Sequence, residues 1–219
     1  YTVVAVKSPC NVTMNGSAVV VINPNPSAIS ISASPATFCR GTIVPLTATT
    51  GSPVITTGNV NPSSGTINLA VPDNSATGVS SLLKVAGIPA GATITGVSIN
   101  FRITHNNVGD LIINLKGPNG NVLNITNGNG GAGNNFGNST ANTTVNSSST
   151  TSITTIVSAN APFNSVPYSP AGAGGVTGAT AITNNISNAY AFSGLYGSTA
   201  SSANGNWILS VRDKAIGTS

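Results

Sequence analysis

Between residues 97 and 104 apolar and polar side chains alternate without exception. Val97, Ile99, Phe101 and Ile103 fall on one side, and Ser98, Asn100, Arg102 and Thr104 on the other. A period of two buries one face of a pleated strand and fits no face of a helix. The same alternation returns at Leu111, Ile113 and Leu115 and in the closing run Trp207, Leu209 and Val211. Composition agrees with it. The chain has neither Glu nor Gln, and charged residues make up 5% of its 219 positions, against roughly 25% in ordinary globular chains. The residues that favour helices are scarce as a set, while Thr and β-branched side chains suit strands and Asn and Gly suit turns. Hydrophobic residues, at 39%, suffice for a core. An all-β chain is expected.

The charges that remain exclude several roles. A net charge of +4 comes from seven basic residues spread from Lys7 to Lys214. The high pI of 9.4 therefore reflects missing acids, and the dense basic stripe that tracks phosphates is lacking, so nucleic acid is not an expected partner. No apolar run reaches the 18 residues of a membrane span. Nucleophilic catalysis needs a hydroxyl activated by a histidine that a carboxylate orients. The chain has one histidine, His105, and no Gly-x-Ser-x-Gly elbow. His105 reads as a turn residue bonded to nearby backbone, and no catalytic residue is expected.

The three acids, Asp73, Asp110 and Asp213, stand beside loops rich in Asn and backbone oxygens. Calcium, which takes 6 to 8 oxygen ligands, is the one cofactor such a set suits. The alternative is structural: each carboxylate accepts backbone N–H groups in its own turn, or pairs with Arg212 or Lys214. Cys10 and Cys39 are too few and too widely spaced for zinc. Their presence suits an oxidising compartment, and whether they pair with each other stays open.

Along the chain, residues 1–23 read as two strands closing an Ig-like repeat. Residues 24–50 read as a proline-stiffened linker with two opening strands of a following Ig-like segment, and 51–219 as a larger β-domain. Strands are expected at Thr66–Val71, Ser80–Val85, Val97–Ile103, Leu111–Leu115, Val122–Ile125 and Trp207–Val211. Long irregular connections are expected at Asn127–Ser152 and Pro162–Ala179.

Two resemblances follow from particular residues. Tyr1-Thr2-Val3-Val4-Ala5, Cys10 and Phe38-Cys39-Arg40-Gly41 resemble repeats of large secreted surface proteins of Bacteroidetes. This likeness implies a multidomain extracellular parent. The sharper likeness rests on Ile99 to His105, Gly109-Asp110-Leu111 and Gly117-Pro118-Asn119-Gly120. With Val71-Pro72-Asp73-Asn74 and Gly205 to Asp213, these resemble the P domain (P/Homo B) that follows the catalytic domain of kexin-like subtilisin proteases. That family implies a non-catalytic jelly-roll β-sandwich over residues 51–219. Its usual further strand after the Asp213 position is not seen before Ser219, so truncation or donation of a strand by another segment is expected. The leading expectation is a non-catalytic structural or adhesive module, secreted or at a bacterial cell surface, with other domains or copies of the same protein as partners. The alternatives are an accessory domain of a secreted protease and a carbohydrate-binding module, for which Tyr168, Tyr190 and Tyr196 are the candidate glycan surface.

Overall fold

A computed structural model describes residues 6–7, 10–11, 30–33, 46–49, 57–174, 182 and 187–217. The chain divides into two compact units, Tyr1–Gly58 and Asn59–Ser219. In the first, β1 (Val6–Lys7) pairs antiparallel with β2 (Cys10–Asn11), and β3 (Ser30–Ala33) with β4 (Leu46–Thr49). Most residues behind the expected Ig-like strands lie outside the described ones. So do Cys39 and the side chain of Cys10, and with them the disulfide.

The second unit is all-β and antiparallel. Its larger sheet holds β5 (Val79–Val85), β7 (Leu111–Lys116), β8 (Val122–Asn127) and β10 (Gly205–Asp213) in the order β5-β10-β7-β8. A second ladder joins β6 (Ser98–Phe101) to β9 (Thr143–Asn146). The alternation at 97–104 behaves as expected: Phe101 is buried, Val97, Ile99 and Ile103 are half-buried, and the polar residues between them are exposed. Facing them, β7 and β8 contribute Leu111, Ile113, Leu115, Leu123 and Ile125 to one continuous core, and β10 contributes Trp207 and Val211. A bulge lets neighbouring residues share that face. The register shifts between Ile113, which faces Thr126, and Asn114, which faces Asn124, so the extra residue Ile125 is accommodated. On the other face of the sheet the amide of Asn114 donates to Asn124 at 3.1 Å. Both are buried, and Ile182 N–H closes the network on Asn114 Oδ1 at 3.2 Å. Every such buried amide needs a partner.

Two expectations change. Thr66–Val71 is not a strand. Residues 57–70 are exposed and outside any ladder, and Asn68 turns to φ +42° just after Gly65 at +65°. An alternating pattern makes a strand only where it pairs with a sheet edge, and residues 66–71 pair with none, although β5 ends its sheet and is paired on one side by β10. Conversely, the connection 127–152 contains β9. One apolar residue, Val145, is a weak strand signal, and the pairing with β6 decides it. The polar connections also deliver core: Phe136, Ile153, Phe163 and Tyr168 are all buried. Phe136 packs edge-on to Phe101 at 5.7 Å and 62°, and against Phe163 at 5.3 Å.

Two glycines with nearly the same backbone angle separate strain from space. Gly65 (φ +65°) has nothing within 4 Å of an added Cβ, whereas at Gly78 (φ +61°) that atom would sit 2.1 Å from the carbonyl oxygen of Val211. Gly65→Ala is expected to cost about 1 kcal/mol from the left-handed conformation alone. Gly78→Ala is expected to cost at least about 3 kcal/mol, because β5 must move off β10. Urea unfolding of the two variants measures the difference.

Candidate functional site

The only histidine sits where three elements converge. After β6 the chain bridges Ile103 to Phe136, which carries His105 under the strand that follows. Asn135, in the left-handed region at φ +62°, clamps the His105 backbone from both sides. Its Oδ1 accepts the His105 N–H at 2.8 Å, and its own N–H donates to His105 O at 2.9 Å. Beyond it, Asn107 caps a 3-10 turn at Val108–Asp110, its side-chain oxygen accepting Gly109 N–H. β7 starts at once, and its first residue, Leu111, lies opposite Asp213, the last residue of β10. The register of that ladder therefore brings Asp213 to the ring of His105.

His105 donates Nε2–H to Asp213 Oδ2 at 3.0 Å. The His105 side chain is 3% exposed and that of Asp213 0%. Nδ1 lies 2.8 Å from Asn107 O and 3.1 Å from Asn107 N, so it donates to the first when protonated and accepts from the second when not. Both nitrogens are thus engaged. A triad histidine presents one nitrogen to a carboxylate and the other to a nucleophile, and here the second faces backbone. The expectation of a turn histidine bonded to nearby backbone holds, and Asp213 is a partner the local pattern could not reveal, being 108 positions away.

Asp213 also holds its own turn, accepting Ala215 N–H on Oδ1 at 2.9 Å, as the structural reading anticipates. Asp73 works over long range instead: both its oxygens take Gly217 N–H at 3.1 Å. Asp110 accepts Lys214 N–H on its backbone oxygen at 2.9 Å. All three acids thus surround the end of β10, yet among the described residues no three His, Cys, Asp or Glu side chains gather as metal ligands. Calcium draws its 6 to 8 oxygens to one point, and the Asp73 and Asp213 carboxylates are turned to separate N–H donors. Of the tyrosines, Tyr168 is core, Tyr190 is 58% exposed, and Tyr196 is half-buried against Trp207. Trp207 itself is a core residue whose Nε1–H donates to Ala203 O at 2.9 Å. Among the described residues no helix is long and apolar enough to cross a membrane. Sequence reading missed Asn107 and Asn135 as the supports of His105; two Asn-rich flanks were the only signal.

Removing the ring strands a buried carboxylate. His105→Ala is expected to cost about 3–5 kcal/mol, and Asp213→Asn, which keeps an acceptor oxygen, about 1–2 kcal/mol. Combining His105→Ala with Asp213→Ala should fall well short of the sum of the two single losses, as urea unfolding of a double-mutant cycle will report. Treatment with EDTA is expected to leave the thermal midpoint unchanged; a fall of several degrees would assign the acids to calcium.

Comparison with known proteins agrees with this part of the chain. No solved structure matches the chain. Over 70 residues it is 37% identical to leupeptin-inactivating enzyme 1 of Streptomyces exfoliatus, a stretch covering 32% of this chain and 16% of that protein. Residues 94–154, which carry β6 to β9 and His105, match the proprotein convertase P-domain family.

Proposed function

We propose that this chain is a non-catalytic, extracellular β-sandwich module with a structural or adhesive role in a larger secreted or surface protein. In this reading residues 51–219 form the P-type unit, and 1–23 and 24–50 belong to Ig-like segments before it. One observation carries it: the sole histidine has both ring nitrogens committed, to Asp213 and to the backbone of Asn107. The Asp73 and Asp213 carboxylates are likewise bonded to backbone N–H groups, which supports a structural role for both. A surface with 5% charged residues suits contacts that salt does not weaken.

A second reading is favoured by the P-domain match at 94–154 and by the similarity to an enzyme of Streptomyces. In it the module is an accessory domain that stabilises a protease domain of the same polypeptide.

Two arms of one experiment test these readings. The purified chain is expected to turn over no peptide, ester or glycoside substrate, and turnover lost in His105→Asn would overturn the non-catalytic reading. Deleting residues 59–219 from the parent protein is expected to abolish surface attachment; a shortened half-life of a linked protease activity, with attachment intact, would select the accessory reading.

A further inference from the structure

We infer that a groove centred on Tyr196 binds a neutral oligosaccharide. Two depressions, of about 330 and 390 Å³, both have Ile94 and Tyr196 in their walls, and in this proposal they serve together as one groove with Tyr196 at its middle. Of the lining residues Phe192 is buried in the core, and the Tyr196 ring lies against Trp207 with centroids 6.4 Å apart at 47°. Around this aromatic surface the walls present hydroxyls. Thr93, Thr95, Ser193 and Ser198 are exposed, and neither they nor the Tyr196 phenol has a hydrogen-bond partner among the described residues. Other hydroxyls of the same walls are used internally, as where Ser147 accepts Val97 N–H at 3.0 Å and Ser149 donates to Pro167 O at 2.7 Å.

The chemistry of the lining selects the ligand. A hydroxyl both donates and accepts, which matches the rim of a sugar ring, while a tyrosine face with a polar tip matches the apolar C–H side and the edge of the same ring. No Asp, Lys or Arg lines either depression. A charged ligand would lose hydration there without an ionic partner, so the oligosaccharide is neutral. The sequence pointed to Tyr168, Tyr190 and Tyr196 for such a surface. Burial removes Tyr168, and Tyr190 lines neither depression.

This inference rests on the reading of the chain as a module without catalysis, and the test separates the two. Neutral hexasaccharides of glucose, mannose and xylose, with hexagalacturonate as the acidic counterpart, are titrated calorimetrically into the whole chain. At least one neutral member is expected to bind with a dissociation constant below about 1 mM, and hexagalacturonate is not. Tyr196→Phe and the double variant Thr95→Ala/Ser193→Ala are each expected to weaken binding about three- to tenfold with the thermal midpoint unchanged. Tyr190→Ala, outside the groove, should bind as the parent does. Absence of any neutral ligand, equal binding of hexagalacturonate, or binding untouched by the groove variants overturns the glycan site. Shortened saccharides in the same mixtures would instead overturn the non-catalytic reading.

Discussion

A buried imidazole bonded to a buried carboxylate holds the end of the larger sheet together. His105 lies on the connection between the two ladders, and Asp213 ends the strand inserted between β5 and β7. The bond therefore links elements that local interactions could not bring together, and it sits beside Ser75 N–H donating to Asp213 O and Lys214 N–H donating to Asp110 O. In a low-dielectric interior each partner is costly alone and tolerated together. That commitment shapes function as well as fold. A ring used at both nitrogens to close a sheet is not free to move protons for a substrate, which is what supports the proposal of a module without catalysis.

With so few charges, amide oxygens do the ordering that ion pairs do elsewhere. Asn138, Asn146 and Asn160 accept backbone N–H groups three residues away, at Ala141, Ser149 and Val157. Asn204 clamps Ile88 from both sides, accepting its N–H and donating to its carbonyl. Such bonds are short-range and insensitive to salt, which lets long connections hold defined shapes and bury Phe136 and Phe163 beneath them. They also leave a sparsely charged, hydroxyl-rich exterior, on which the site proposed at Tyr196 lies.

Strands with strong alternation were legible: β6, β7 and β10 lie where their period of two puts them, and Trp207 is the core residue its phase with Val211 implies. The turn at Gly117–Gly120 follows from its composition, with Gly120 at φ +87°. β9 was not legible, since Thr143, Thr144 and Asn146 carry no apolar signal, and Thr66–Val71 carried the signal without a partner. At the site, the residue types were legible and their pairing was not. A lone His among turn residues suggests backbone bonds, while its carboxylate is supplied by a strand 108 positions later.

The linear order of residues by itself determined the all-β class, the absence of a basic stripe, the scarcity of acids and the single histidine, because these follow from composition and period. Only the tertiary structure decided that β10 enters between β5 and β7, which acid meets His105, and which tyrosine is buried. Strand pairing and burial depend on contacts between distant segments, and a pattern within one segment carries no information about which distant edge will cover it.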